Sequence, residues 1–504
     1  MVELAAVTGD STLASDWVTI SAAIGATVVV LHLIIRAFAL GFIPEGRRPT
    51  SGMAWVLFIM ALPLLGLFLW TVLGWTSIGK ERMRRQLESL DSIRKNVAEH
   101  PITELPGDLP LYIQTSMTLN QNLGALPPVE AGDVQLYQDY YESIQAMADE
   151  IDTAQSWVHV EFYIMAWDDV TEPFFAALDR AADRGVTVRL LFDQYATKGN
   201  PAYKELIRKL QETQIDWHGM LPLLPLRENL RRPDLRNHRK ILIVDGEVAF
   251  MGSQNMIERG YNKKKNHKVG REWVELTCRV TGSSAKALDA VFSTDWFTET
   301  GEKATQAVDN APTTSNLPRT GEVLGQVVPS GPGIVEENNL RLFTSLIYGA
   351  KRRVSITSPY FVPDESLLYA VTTAAQRGVE VELFVSEKGD QFMVEHAQAS
   401  YYKELLKAGV KIQLYKAPYV LHSKHFSVDD DVIVIGSSNM DLRSFHLNYE
   451  VSMMMTGGDI VQKMHAVEDA YRLECKVLTE EEWSGRPWHR KYIDNAMRLT
   501  ASLQ

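Results

Sequence analysis

The sequence predicts two homologous α/β domains preceded by a pair of membrane-spanning helices. Three observations carry that prediction: two uncharged apolar runs within the first 80 residues, strand-like and helix-like runs that alternate beyond residue 100, and a motif that occurs twice with identical spacing. The chain has 504 residues, enough for roughly three domains. Charged residues make up 23% and hydrophobic residues 45%, ordinary globular proportions that exclude wholesale disorder and a polytopic transporter. With 51 Lys plus Arg against 63 Asp plus Glu the net charge is -12, which argues against a surface built to hold nucleic acid. An anionic partner must therefore meet a local basic patch. Two cysteines, Cys278 and Cys475, form neither a disulfide framework nor a CxxC pair, so no metal site and no cofactor are expected.

Residues 17–35 and 49–79 contain no Asp, Glu, Lys or Arg. About 20 apolar residues in a helix cross about 30 Å of hydrocarbon, so spanning helices are predicted over about 17–40 and 52–75. Trp17, Trp55, Trp70 and Trp75 lie near their ends, where interfacial aromatics belong. Glu3, Asp10 and Asp16 stand where a cleaved signal would be basic, so the hairpin is read as retained in the mature protein. Arg36, Arg47 and Arg48 lie on one side of the pair and Lys80, Arg82, Arg84 and Arg85 on the other, a count that leans towards a cytoplasmic body. The hairpin takes residues 1–80, and 81–125 form a connecting segment.

The duplication begins with the strand-like WVHVEFYI at 157–164, matched by RVSITSPYF at 353–361. Each is followed by a helix-period stretch ending in Arg-Gly-Val, at Arg184-Gly185-Val186 and Arg377-Gly378-Val379, then by a second β run. Strand, helix and strand in that order predict βαβ units in a mostly parallel sheet with helices on both faces. The repeats are placed at 126–304 and 326–504, with the Thr-, Asn- and Pro-rich residues 305–325 as linker.

The repeat is sharpest in HRKILIVDGEVAFMGSQN and HSKHFSVDDDVIVIGSSN, which share H-x-K-x4-D-x6-G-S-x-N. Six fixed residues at frequencies near a twentieth arise by chance on the order of 10⁻⁸ per starting position. His238, Lys240, Asp245, Gly252, Ser253 and Asn255 thus correspond to His422, Lys424, Asp429, Gly436, Ser437 and Asn439. On a strand, His and Lys two apart share a face, Asp sits at a turn, and a second β run brings Ser and Asn alongside. An imidazole nucleophile ringed by ammonium, hydroxyl and amide donors suits attack on a phosphodiester. The alkoxide leaving group then needs a proton, which the second imidazole supplies. One site therefore needs both halves.

These residues resemble the paired HKD motifs of the phospholipase D superfamily. The apolar N-terminal pair, the RRPTSGMAWVLFIMALPLLGLFLWTVLG segment, SPYFVPD and NMDLRSFHLNYE are similar to bacterial cardiolipin synthases, over nearly the whole chain. The resemblance implies two phospholipase D-like domains about a pseudo-twofold axis and a covalent phosphohistidine mechanism. It further implies transfer of a phosphatidyl group between two phosphatidylglycerol molecules, making cardiolipin and releasing glycerol, in a bacterial inner or plasma membrane. Carried over, His238 is the nucleophile and His422 the general acid, later the base, and exchanging these two roles would leave the motif chemistry unchanged. Lys240, Lys424, Asn255 and Asn439 hold phosphoryl oxygens, and Ser253 and Ser437 support the pocket. Glu450, eleven residues after Asn439, matches the family's imidazole-orienting acid. Glu272, seventeen residues after Asn255, is the candidate in the first half. Asp245 and Asp429 belong to the catalytic motif but are read as closing a turn.

Other histidines, His267, His396, His425 and His446, are read as solvated. Arg227, Arg231, Arg232, Arg236 and Arg239, with the four lysines between Arg259 and Arg271, flank the first motif and follow the apolar LPLLPL at 221–226. They are read as a surface for anionic lipid headgroups. Three function classes follow: a phosphatidyltransferase, a phospholipase D-type phosphodiesterase using water or another alcohol, and a non-enzymatic scaffold. The intact motifs disfavour the scaffold, and the acidic net charge disfavours a nuclease. The expected partners are the membrane and its phospholipids, without nucleic acid; oligomeric state is not legible in the sequence.

Overall fold

The computed structural model describes residues 10–45, 47, 49–74, 78–99, 105–107, 109–124, 126–222, 234–304, 322–333 and 337–500. Arg48, Trp75, Arg227, Arg231, Arg232 and most of the 305–325 linker lie outside the described residues. The chain divides into two compact units, one within residues 1–76 and one comprising most of 77–504.

Of the two helices expected over about 17–40 and 52–75, the N-terminal unit shows one as a continuous span and divides the other. A single helix, Asp10–Phe42, follows the first apolar run, and its Trp17–Phe42 portion is the one span among the described residues long and apolar enough to cross a membrane. The second run is two shorter helices, Pro49–Ala61 and Pro63–Leu73. The break falls at Leu62, whose φ of -132° and ψ of 76° are not helical. Pro63 causes it: its ring excludes the preceding residue from the helical region and removes an amide donor. Hydropathy alone counted residues and missed the proline.

The second unit contains the duplicated body. Its first half holds a seven-stranded sheet in the spatial order Gln135–Tyr137, Thr277–Thr281, Val248–Gly252, Lys240–Val244, Trp157–Phe162, Thr187–Asp193 and Asp216–Met220. The second half repeats the order with Leu324–Ser330, Asn448–Thr456, Val432–Gly436, His425–Val428, Arg353–Thr357, Glu380–Ser386 and Lys411–Tyr415. Extra strands extend this second sheet, and one of them, Val129–Glu130, comes from the start of the first repeat and pairs with Leu324–Gly325. Each sheet is mixed rather than mostly parallel. Trp157–Phe162 runs parallel to Thr187–Asp193 through the helical crossover Glu172–Asp183, but antiparallel to Lys240–Val244. The motif strands are antiparallel because a tight turn joins them, which a βαβ crossover does not.

Alternation within the motif strands sets the layers. Ile241 and Ile243 of the first sheet share a core with Ile433, Ile435, Met453 and Met455 of the second, around the buried helix Ser283–Thr300. Leu242 and Val244 face the other way, onto Phe174 and Leu178 of the first half's own crossover helix. Val432 and Val434 likewise face their own half's outer core, with Phe343 of the helix Asn338–Gly349 and Phe426 of the adjacent strand. The two sheets therefore meet across one continuous apolar core, which is what brings both motifs to a common seam.

Candidate active site

The turn after each motif strand is built by its aspartate. Asp245 has φ 51° and Asp429 φ 52°, left-handed conformations in which a short polar side chain bonds nearby backbone. Asp245 accepts from the amides of Gln155, Ser156 and Trp157 at 2.8, 2.8 and 2.9 Å. Asp429 accepts from Lys351, Arg352 and Arg353 at 3.0, 2.7 and 2.9 Å. Both carboxylates cap the start of the neighbouring strand, and neither bonds an imidazole.

At the other end of the strand lie His238 and Lys240, and His422 and Lys424, all buried. His238 precedes its strand, which begins at Lys240, and follows a two-residue segment, Arg236–Asn237, that pairs parallel with Asn448–Tyr449 of the other half. Its amide donates to the Tyr449 carbonyl at 2.9 Å. In the reciprocal arrangement, Val420–Leu421 pairs parallel with Trp273–Val274, and the His422 amide donates to the Val274 carbonyl at 2.8 Å. The residue after each accepting carbonyl is a buried glutamate, and that glutamate holds the imidazole. His238 Nδ1 lies 3.0 Å from both carboxylate oxygens of Glu450. His422 Nδ1 lies 2.8 Å from Glu275 Oε1. A ring nitrogen facing a carboxylate is the protonated one, so Nδ1 donates and Nε2 keeps its lone pair.

The first-half carboxylate is thus Glu275, not Glu272, which is partly exposed and pairs with Arg259 at 3.1 Å. Counting from Asn255 across the GYNKKKNHKVGR insertion misplaced it. The readable signal was Glu275-Leu276-Thr277 against Glu450-Val451-Ser452, an acid, an aliphatic and a hydroxyl residue in register. The serines complete the pairing: Ser253 Oγ donates to Glu275 Oε2 and Ser437 Oγ to Glu450 Oε2, each at 2.5 Å. Each hydroxyl also accepts the next strand's amide, from Leu276 at 2.9 Å and Val451 at 3.0 Å. So close an approach needs glycine beforehand, because a Cβ on Gly252 or Gly436 would lie 2.3 Å from the Leu276 or Val451 carbonyl oxygen.

Both lysines fold back onto the motif, Nζ donating to the carbonyl of its own histidine at 2.5 Å. Lys424 Nζ also approaches His422 Nδ1 at 3.2 Å, but that nitrogen's proton is engaged by the shorter contact to Glu275. The asparagines are less alike than their spacing. Asn255 is bonded at both ends, Nδ2 donating to Tyr261 Oη at 2.8 Å and Oδ1 accepting the Ile164 amide at 3.2 Å. Asn439 Oδ1 is buried with no hydrogen-bond partner.

Several flanking groups carry no signal in the sequence. Tyr163 stands edge-on to His238 with centroids 4.7 Å apart, and Tyr360 to His422 at 6.5 Å. Arg239, between His238 and Lys240, is buried; it donates to the Glu450 carbonyl at 3.0 Å and pairs with Asp295. His396 and His425 are also buried rather than solvated, His396 bonding Asp494 at 2.7 Å. Burial alone lowers His425 to about 3. Among the described residues no group of three or more His, Cys, Asp or Glu side chains is placed to hold a metal ion.

Electrostatics separate two imidazoles that geometry makes equivalent. Burial lowers the pKa of His238 well below its usual value, helped by Lys240, Lys424, His422 and Arg443. Each imidazole is thus within the other's field and that of both lysines. His422 is also lowered, by burial first, but Glu275 opposes the shift. Burial raises Glu450 to about 7, whereas for Glu275 the His422, Lys424 and Ser253 contacts outweigh burial and leave it below the ordinary value. Burial pulls Lys240 down to about 7 and Lys424 to about 8.

Residues 147–296 and 343–469 match the family model described as cardiolipin synthase, PLD-like domain. The chain is 32% identical over 453 residues to cardiolipin synthase A of Wigglesworthia glossinidia brevipalpis, covering 89% of this chain and 90% of that one. It is 32% identical over 468 residues to cardiolipin synthase A of Yersinia pseudotuberculosis, covering 91% and 94%. Among solved structures, phosphatidylserine synthase of Haemophilus influenzae superposes with a TM-score of 0.58 at 15% identity, covering 77% of this chain and 99% of that one, a likeness of fold. With both repeats matched and the relatives aligned nearly end to end, the chain belongs to the cardiolipin synthase family of the phospholipase D superfamily.

Proposed function

We propose that the protein is a membrane-bound phosphatidyltransferase that makes cardiolipin from two phosphatidylglycerol molecules, releasing glycerol. The observation that carries this reading is the pair of buried imidazoles, each held by a carboxylate from the opposite repeat, in a chain aligned over most of its length with cardiolipin synthases.

His238, kept neutral by burial and surrounding cations, is the nucleophile. Its Nε2 lone pair attacks phosphorus, the bond from phosphorus to the glycerol headgroup oxygen breaks, and His422 donates a proton to that oxygen. Glu275, kept ionised beside it, stabilises the charged form of His422 that precedes donation. Free glycerol leaves a phosphatidyl group on His238. Neutral His422 then takes the proton from a hydroxyl of the second phosphatidylglycerol, whose oxygen bonds to phosphorus as the phosphorus–nitrogen bond breaks. Lys240 and Lys424 swing from their histidine carbonyls to the phosphoryl oxygens, and Asn439 adds a neutral donor. Asn255, bonded at both ends, holds the wall instead. The helix Asp10–Phe42 anchors the chain in a bacterial inner or plasma membrane, the two shorter helices completing a multi-pass anchor with the body cytoplasmic.

The test is to incubate the purified full chain with phosphatidylglycerol alone in chelator and identify the products by mass spectrometry. Cardiolipin and glycerol in equal amounts are expected; phosphatidic acid as the sole lipid product overturns transfer in favour of hydrolysis. His422→Ala should accumulate a phosphatidyl adduct on His238, and an adduct on His422 in the His238→Ala protein would exchange the two roles.

A further inference from the structure

The GYNKKKNHKVGR insertion is not consumed by the catalytic reading, yet it is attached directly to the site. It leaves from Tyr261, whose hydroxyl accepts from the motif residue Asn255, and Lys263 lies over the Tyr261 ring at 6.0 Å. It returns through Glu272, whose carbonyl accepts the Val420 amide at 2.9 Å, into the strand that holds the His422 backbone. Between these anchors the helix Lys264–Lys268 carries Lys264, Lys265 and Lys268 into solvent, beside Lys263 and the exposed Val269.

The second half contributes a facing edge. Gln391 donates to the Tyr360 hydroxyl at 2.9 Å, and Tyr360 is the ring set against His422. The next two residues, Phe392 and Met393, open the helix Phe392–Ala408 and are 64% and 42% exposed. Arg271 of the insertion lies in the field of Glu395, one turn along from Phe392, while Gly270 lies near Pro418, in the segment that leads into the Val420–Leu421 strand. Tyr360 also lies in the field of Tyr261. An exposed cluster of ammonium groups on one segment and exposed apolar side chains on the other are thus each attached to a residue that contacts the site, in a chain whose net charge is -12.

We propose that the Lys264–Lys268 insertion and the Phe392–Met393 edge form a two-sided lip that seats on an anionic bilayer surface, with the apolar side chains among the acyl chains and the lysines among the phosphates. Apolar insertion combined with a basic cluster is the pairing that binds anionic membrane surfaces. The lip draws the mouth of the site down to the level of the phosphodiester it is to attack. This deepens the reading above and rests on the site's acting on lipid.

The test uses the full chain in nanodiscs. Val269→Cys is labelled with an environment-sensitive fluorophore and compared in phosphatidylglycerol and phosphatidylcholine discs, with spin-labelled lipid as quencher. A blue shift and quenching confined to the phosphatidylglycerol discs are expected, and both should vanish in the added triple variant Lys264→Glu, Lys265→Glu, Lys268→Glu. A label equally solvent-exposed in both lipids overturns the lip, whatever the enzyme's products. The triple variant and Phe392→Asp should each raise KM on phosphatidylglycerol vesicles at least about tenfold, leaving kcat on detergent-dispersed lipid unchanged. An equal fall on vesicles and micelles would assign these residues to folding or chemistry instead. If cardiolipin never forms but the label still enters phosphatidylglycerol discs, the function fails and the lip stands.

Discussion

His238 and Glu450 stand 212 residues apart in the chain, yet both carboxylate oxygens of Glu450 lie 3.0 Å from His238 Nδ1. Glu275 makes the reciprocal contact with His422 at 2.8 Å. Replacing Glu450 or Glu275 by Gln keeps the shape but removes the charge that orients each ring and fixes its tautomer. Each change should lower kcat by about 10²–10⁴-fold. Glu272→Gln, which breaks only the partly exposed pair with Arg259, should stay within about twofold. Steady-state assays of the three variants check this; a Glu272 effect equal to that of Glu275 would reject the assignment.

Asp245 should matter for stability rather than chemistry. It caps three consecutive amides, and charged hydrogen bonds contribute about 1.5–3 kcal/mol each before water replaces some of them. Asp245→Ala is expected to cost about 2–4 kcal/mol overall, while Asp245→Asn, which tolerates the left-handed conformation, costs less. Thermal denaturation measures the loss. Activity per folded molecule should remain near wild type, and a collapse of kcat in fully folded Asp245→Asn would make this residue catalytic.

Gly252→Ala and Gly436→Ala test whether strand spacing sets the carboxylates. The added methyl would lie 2.3 Å from a backbone oxygen, so the adjoining strand must move, at about 1–3 kcal/mol. The segment that must move includes Glu275 or Glu450, which accepts from Ser253 or Ser437. Activity should fall more than folding does, seen as a reduced kcat at a temperature where circular dichroism is unchanged. Normal turnover in both variants would show the spacing to be unimportant.

Alkaline pH should weaken substrate capture. Lys240 and Lys424 are brought down to about 7 and about 8 by burial, so raising the pH through that window removes their charges from the empty site. kcat/KM should fall above about pH 8, chiefly through KM. The same shifts affect stability. Between those folded-state values and the usual 10.5 the unfolded chain binds more protons, so the lysines destabilise the empty protein near neutrality and stability rises with pH through that interval. Inorganic phosphate restores a counter-charge and should therefore raise Tm more at pH 7 than at pH 9. Equal shifts at the two values would contradict the assignment of these ammonium groups to phosphate binding.

The motifs and the repeat were legible because they are linear patterns, and the strands lying side by side at the seam are those the motif defines. Three features depart from the sequence reading, for different reasons. The exchange of Glu275 and Glu450 between halves depends on short parallel pairings, such as Val420–Leu421 with Trp273–Val274, that have no signature within either segment. Glu275 itself was visible as Glu-Leu-Thr but was displaced by counting across an insertion. Pro63 was in plain view, and length and hydropathy outweighed the local backbone rule that it imposes.

Because each imidazole leans on an acid from the opposite repeat, a fragment bearing one motif would own a base without its counter-ion and an acid without its base. Separate copies of the repeat would regain competence only by docking about a twofold axis, as two identical subunits of a dimer would. Fusion into one polypeptide releases the outer layers to diverge, and insertions such as the lysine-rich one can then arise on one side alone. The seam has no such liberty: drift there in either copy disables the other.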